Sequence, residues 1–198
     1  MHINTINIHM GHSPVAVAAI AALLAGAEQV SAQDELETSA SILVPPAIGE
    51  YWVGQGGVYA GMKRGQDSGR DFCLIVPTDP RAVFSKRCLG TYGIDVNSAT
   101  SYHNGQANTR ALAEAGSELC KEILALEIDG HSDFYLPSQT ELMLCWVNVP
   151  ELFEKVWHLS STQYSTDGAW GQHFSYGITH DHDKQFEASA RACRRLFL

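Results

Sequence analysis

The stretch from Gln163 to Lys184 contains the side chains that are best suited to binding a ligand. It interleaves aromatic residues with short polar and ionisable ones. Rings offer contact area at low entropic cost, and short polar side chains adapt their hydrogen bonds, as in antibody-like surfaces and sugar sites. This composition predicts a binding loop. Its candidate ligand-binding residues are Tyr164, Asp167, Gln172, His173, Ser175, Tyr176, Thr179, His180 and His182.

Two aromatic residues in the same stretch have a different expected role. Trp170 and Phe174 alternate with shorter residues, a spacing typical of side chains turned into a core. We expect both to be buried, whereas Tyr164, Asp167, Tyr176 and His180 should be exposed and clustered. The alternative is a polar surface loop that has only a structural role.

A metal site is the next possibility, because His180-Asp181-His182-Asp183 offers imidazole and carboxylate ligands. Adjacent residues of a strand point to opposite faces, so this run supplies at most two ligands on one side. The pair Asp129 and His131 precedes a strand and is equally isolated. We therefore predict no metal ligand and no cofactor.

Catalytic motifs are missing from the sequence. It contains no G-x-S-x-G, Walker, G-x-G-x-x-G or H-E-x-x-H pattern, so the prediction is a non-enzymatic protein. The five cysteines form no C-x-x-C pair, which favours reduced thiols in the core, Cys120 and Cys145 among them. An oxidase-like enzyme is the alternative, favoured only if two of these cysteines meet in a cleft.

Chain length and net charge further limit the possible functions and the domain organisation. The chain has 198 residues, a net charge of −9 and no run of Lys or Arg, which disfavours nucleic-acid binding. Residues 1–45 are predicted to form an attachment and oligomerisation segment, with a strand over 1–10 and an Ala-rich helix over 13–29. That apolar run is too short for a membrane span, and a signal peptide is the alternative. Residues 46–198 should form the main domain.

Within the main domain, the first elements are a hairpin and a helical pair. Tyr51–Met62 and Phe72–Val76 read as two strands joined by a glycine-containing turn. Asn108–Leu126 has a helical pattern that Gly116 divides into two helices.

The second half begins with strong helix signals. Ser138 and Glu141 have the spacing of a capping box. Pro150 is expected to open a short helix over Glu151–Val156. No helical period follows, and the small and apolar residues of 189–196 alternate as in a strand.

Several short motifs follow one another in a recognisable order. They are Leu136-Pro137 with Glu141-Leu142, then Trp157 with Ser160-Ser161-Thr162 and Tyr164, then Ala169-Trp170, Phe174 and Gly177, then Lys184 and finally Arg191 with Arg194. Their order and spacing resemble the "domain of unknown function 1566" family, including members encoded in phage and prophage genomes. The resemblance covers roughly Ile48 to the C-terminus. Phe134-Tyr135 departs from the usual Trp-Arg, and Cys193 replaces a frequent Val.

The resemblance implies an α+β domain with the C-type-lectin-like fold, which has a small twisted antiparallel sheet, flanking helices and long loops. The first and last strands of that fold pair, which would place Gly57–Met62 beside Ala190–Leu196. The implied function is a tail- or surface-associated phage virion protein that binds a host-surface protein or glycan.

The same resemblance implies partners and a location. Residues 1–45 would contact other virion proteins and support a homo-oligomer, with a trimer as the first expectation, and the protein would reside in the virion. A decoration protein without a receptor and a secreted bacterial adhesin are the alternatives.

Overall fold

The computed structural model describes residues 43–66 and 69–198. The predicted strand over 1–10 and the predicted helix over 13–29 lie outside the described residues, so the proposed boundary after residue 45 stays a prediction. Residues Val44–Leu198 form one compact unit. Its described part contains three α-helices and two β-sheets, which confirms the α+β class.

The elements follow one another along the chain as strands, then helices, then strands. The described residues form nine strands, which are β1 (Tyr51–Trp52), β2 (Gly57–Lys63), β3 (Phe72–Val76), β4 (Val83–Arg87), β5 (Trp157–Gln163), β6 (Gly168–His173), β7 (Ile178–Asp183), β8 (Ala188–Arg191) and β9 (Arg194–Leu196). The helices are α1 (Gly105–Glu114), α2 (Glu118–Leu124) and α3 (Gln139–Asn148). Within the described residues, no helix is long and apolar enough to cross a membrane.

The first sheet has the order β1-β2-β3-β9. The predicted hairpin is confirmed for β2 and β3, while the start of the predicted strand Tyr51–Met62 forms the separate strand β1, which pairs with β2. The predicted pairing of Gly57–Met62 with the last strand is wrong, because β9 pairs with β3, through Cys73 and Leu196 for example. All five residues of β3 are buried apolar ones, so this strand takes a central position with a neighbour on each edge.

The second sheet has the order β4-β8-β5-β6-β7. Strands β5, β6 and β7 form an antiparallel meander, while β5 and β8 are parallel. The stretch from Gln163 to Asp183 is therefore two hairpins, and its prediction as a loop is wrong. Gly177 has a φ of 69°, which favours glycine and allows the tight turn between β6 and β7.

The C-terminal segment connects the two sheets. The single strand predicted over 189–196 is divided into β8 in the second sheet and β9 in the first. Between them, Cys193 forms an isolated bridge with Tyr135. The alternating small residues are strand residues as predicted, and the break lets one segment contribute a strand to each sheet.

The helical predictions are mostly confirmed. Two helices, α1 and α2, meet at Gly116, whose φ is 106°. The helix predicted over Glu151–Val156 is wrong, since only a 3-10 turn, Pro150–Leu152, forms there. Phe153 is already extended, and its ring stacks on the buried ring of Phe174 with centroids 4.2 Å apart. Burial of Phe153 thus ends the helical turn.

Helix α3 is fixed by a buried carboxylate. Glu141 Oε2 accepts hydrogen bonds from the backbone nitrogens of Ser138 (2.7 Å) and Gly105 (3.2 Å). Its other oxygen accepts from Arg195 Nη2 at 2.7 Å and from the Tyr135 hydroxyl at 2.9 Å. Glu141 therefore reaches back to Ser138 as the capping box predicts, and it also ties α3 to β9.

Candidate functional site

The β5–β6–β7 meander brings aromatic and imidazole rings to one face of the second sheet. Its register pairs Trp157 with His173, His173 with Ile178, Gly171 with His180, and Ala169 with His182. Paired residues on neighbouring strands share a face. We call the resulting surface the aromatic ridge, which consists of Trp157, His173, Tyr176, His180, His182 and Phe186.

Ring contacts join the members of the ridge. Trp157 packs edge-on against His173 and His182, with ring centroids 5.0 Å and 4.3 Å away. Phe186 stacks on His182 at 4.5 Å. Gly171 lies beneath them, and a Cβ there would approach the His158 carbonyl oxygen to 3.1 Å. The same Cβ would lie in ordinary van der Waals contact with the rings of His182 and Trp157, at 3.5 Å and 3.7 Å.

The outer end of the ridge is open to solvent. Tyr176 is 72% exposed, although its ring stacks on that of His173 at 4.7 Å. Ile178 and His180 beside it are also exposed. Burial together with proximity to His180 lowers the pKa of His182, so its imidazole is neutral at pH 7. The exposed part of the ridge thus combines apolar ring faces with imidazole nitrogen atoms.

A groove of about 380 Å³ borders the ridge at Trp157 and Phe186. Its other walls come from β4, β8 and the segment before β5. The polar groups along it are Ser85, Lys86, Glu154, Glu187 and Ser189. Glu154 is positioned by a hydrogen bond that the Ser189 hydroxyl donates to Oε2 at 2.7 Å. A groove with aromatic rings at one side and carboxylate and hydroxyl groups around it can both stack on and hydrogen-bond a sugar-sized ligand.

The predicted binding residues divide between this surface and two other places. His173, Tyr176, His180 and His182 belong to the ridge. Ser175 lies in the adjoining turn, where its hydroxyl donates to the Lys155 carbonyl oxygen at 2.8 Å.

Tyr164 and Asp167 are exposed as predicted, but they lie in the β5–β6 turn at the opposite end of β6. Six strand residues separate the two ends by roughly 17 Å. The predicted single cluster with Tyr176 and His180 is therefore wrong. Instead, Tyr164 packs edge-on against Trp170, at 5.2 Å between ring centroids.

Gln172 and Thr179 are placed on the other face of the sheet. They are cross-strand partners, and the Thr179 hydroxyl donates to Gln172 Oε1 at 2.6 Å. Gln172 is only 1% exposed, so it forms no part of the exposed surface. Alternation along β6 and β7 turns these two residues away from His173 and His180.

The aromatic pair predicted to be core residues is half confirmed. Phe174 is buried among Phe153 and His158. Trp170 is only half-buried, and the rings that it contacts, those of Tyr164 and Tyr102, belong to exposed residues. The β5–β6 hairpin thus has a small aromatic cluster of its own.

Sequence reasoning missed Trp157, Phe186, Glu154 and Glu187. Trp157 occurred only as part of a motif, and nothing in its neighbourhood indicated which face it would take. The signal that could have found it is its position in the sequence, three residues before the Ser160-Ser161-Thr162 run, which places it at the start of β5. The acidic residues belong to separate segments, and only the sheet order brings them together.

In the described part of the chain, no side chains are arranged for metal binding, and four of the five cysteines are buried. No group of three His, Cys, Asp or Glu side chains is placed to hold a metal ion among these residues. Cys73, Cys120, Cys145 and Cys193 are buried, as predicted for Cys120 and Cys145, and Cys88 is exposed. Burial raises the pKa of the Cys120 thiol to about 12, which keeps it protonated.

Comparison with known proteins adds no assignment. The sequence matches no protein-family model, and it shows no significant similarity to a curated protein. The resemblance to the "domain of unknown function 1566" family accordingly stays a prediction from its motifs.

Proposed function

We propose that this protein is a non-enzymatic recognition protein, and that the aromatic ridge with its bordering groove is its ligand-binding surface. The observation that supports this most strongly is the exposed Tyr176 ring, stacked on His173 and continuous with Trp157 at the mouth of the groove. A ring that is open on one face and supported on the other offers a preorganised stacking surface.

A glycan is the ligand class that we favour. Sugars present apolar faces that stack on rings and hydroxyl groups that bind carboxylates, and the groove offers Glu154 and Glu187 beside Trp157. A protein ligand would instead require a wider apolar surface around Tyr176 and Ile178. Binding on either basis needs no bond to be made or broken.

The motif resemblance extends the proposal to a biological setting. It favours a C-type-lectin-like domain in a phage virion protein, with residues 1–45 as the segment that attaches to other virion proteins and forms the homo-oligomer. The host surface would supply the protein or glycan ligand. A secreted adhesin would use the same surface, while a decoration protein would leave it unoccupied.

The direct test is to apply the labelled full chain to immobilised bacterial surface glycans, including lipopolysaccharide O-chains and capsular polysaccharides, and to whole bacteria. Saturable binding to a defined glycan, competed by the free sugar, is the expected result. Binding only to protease-sensitive sites on cells would replace the glycan by a protein ligand. No saturable binding to any of these surfaces would contradict the recognition function and favour the decoration protein.

A further inference from the structure

A second groove adjoins the turn between β6 and β7. It has a volume of about 480 Å³, which is within the range of small-molecule sites, and its lining residues are Pro150, Glu151, Lys155, Phe174 and Ser175. We call it the turn groove, and we call the groove beside Trp157 and Phe186 the ridge groove. Among the described residues, none lines both grooves.

One short segment before β5 contributes to the walls of both grooves. Val156 and Trp157 line the ridge groove, whereas the preceding Lys155 lines the turn groove. The segment is bound to the β6–β7 turn, because the Ser175 hydroxyl donates to the Lys155 carbonyl oxygen at 2.8 Å and the Phe174 nitrogen donates to the Val156 carbonyl oxygen at 3.1 Å. These bonds fix the positions of the two grooves relative to each other before a ligand binds, which lowers the cost of binding.

Rings of the aromatic ridge connect the two grooves. Trp157 borders the ridge groove and contacts His173, with ring centroids 5.0 Å apart. His173 in turn stacks on Tyr176 at 4.7 Å, and Tyr176 directly follows Ser175, which lines the turn groove. A series of rings with a groove at each end offers contacts to several sugar units, whereas a single sugar unit would use only one groove.

Charged groups of both signs line each groove. The ridge groove has Glu154, Glu187 and Lys86, and the turn groove has Glu151 and Lys155. Carboxylates accept hydrogen bonds from sugar hydroxyl groups, and ammonium groups donate to them. A polyanionic chain would instead meet three carboxylates on a protein whose net charge is −9. The charges therefore favour an uncharged glycan.

We propose that the two grooves and the rings between them bind several consecutive units of a linear, uncharged polysaccharide, with the turn groove as a second subsite. This inference rests on the proposed function and narrows its ligand class from a glycan to an extended neutral chain. The ridge groove holds one part of the chain beside Trp157, and the turn groove holds another part beside Ser175.

The first experiment is affinity electrophoresis of the full chain in gels that contain neutral bacterial O-polysaccharides, neutral capsular polysaccharides, dextran or mannan. At least one neutral polymer should retard the protein, and the carboxymethylated form of the same polymer should retard it less. Equal retardation by the two forms would overturn the preference for an uncharged chain. No retardation by any of these polymers would overturn the whole inference, whereas saturable binding to a protein on cells would still support the recognition function.

The second experiment measures the length of the site by calorimetric titration with oligomers prepared from the polymer that retards the protein. The Kd should fall by about tenfold or more between the disaccharide and the hexasaccharide, because only the longer ligand reaches both grooves. Longer oligomers should then bind no more tightly. Equal Kd values for the disaccharide and the hexasaccharide would overturn the second subsite and leave the recognition function in place.

Variants of the turn groove test the subsite directly. Glu151→Gln and Lys155→Met, both at exposed positions, should each weaken hexasaccharide binding about tenfold and leave disaccharide binding and the melting temperature unchanged. Glu118→Gln and Lys121→Met, which change an exposed ion pair of α2, are the matched controls and should leave the binding of both oligomers unchanged. Equal weakening of both oligomers by the groove variants, or no effect on either, would show that the turn groove is not a subsite.

Discussion

The imidazole of His173 and the ring of Tyr176 stack with centroids 4.7 Å apart and planes inclined by 27°. His173 is the last residue of β6 and is supported from behind by Trp157. Tyr176 lies in the following turn and presents its outer face to solvent. The sheet thus fixes one ring, and that ring orients the exposed one, which is the relationship on which the proposed recognition depends.

Two aromatic residues of this turn should respond oppositely to removal. Phe174→Ala should lower the free energy of unfolding by about 3–5 kcal/mol, because it empties a core position between Phe153 and His158. Tyr176→Ala should change it by less than about 1 kcal/mol, since the ring is mainly exposed. Urea denaturation measures both. A larger loss for Tyr176→Ala than for Phe174→Ala would refute the assignment of core and surface.

Acid should destabilise the fold through His158. Burial lowers the pKa of this residue to about 4, against a usual value of 6.5. The unfolded chain then binds the proton more tightly than the folded one, so stability is full above pH 6.5 and falls as the pH drops towards 4. The loss attributable to His158 is about 3 kcal/mol over this window.

The measurement is a series of urea denaturation curves between pH 7 and pH 4. His158→Gln should flatten the part of the pH dependence that belongs to this window, whatever its effect on stability at pH 7. The exposed His180→Gln is the matched control and should preserve it. An unchanged pH dependence in His158→Gln would show that another group is responsible.

Lys184 should be essential for stability. Its buried ammonium donates to Gln163 Oε1 and the Thr166 carbonyl oxygen at 2.7 Å and to the Ile94 carbonyl oxygen at 2.8 Å. Lys184→Met removes the donor from the Ile94 and Thr166 carbonyls and leaves Gln163 Oε1 with only its bond from the Val96 nitrogen, so it should cost about 3 kcal/mol. Lys155→Met, at an exposed position, should change stability by less than about 0.5 kcal/mol in the same thermal or urea denaturation. Equal stability of the two variants would contradict this role.

Much of the fold was predictable because its signals are local. The β2–β3 hairpin, the division of the helices at Gly116 and the start of α3 near Ser138 depend on neighbours within a few residues. The pairing of β9 with β3 depends on contacts between residues 73 and 196, and no local pattern encodes that choice. The partner of β9 was therefore predicted wrongly even though its strand character was right.

The candidate site was predictable in composition but not in arrangement. His173, Tyr176, His180 and His182 were identified by residue type, and they do share one surface. Gln172 and Thr179 were grouped with them although they lie on the other face, because a polar strand gives no hydrophobic alternation from which its faces can be told apart. Trp157 comes from a distant segment, and it joins the site only through the β5–β6 pairing.

The decisive measurement compares glycan or cell binding of the full chain with that of Tyr176→Ala and of Tyr51→Ala, an exposed tyrosine of the first sheet. If the ridge recognises the ligand, Tyr176→Ala should weaken binding by about 2 kcal/mol, or roughly thirtyfold in Kd, with an unchanged melting temperature. Tyr51→Ala should bind as the unaltered chain does. Equal binding by all three proteins would show that the aromatic ridge is not the recognition surface.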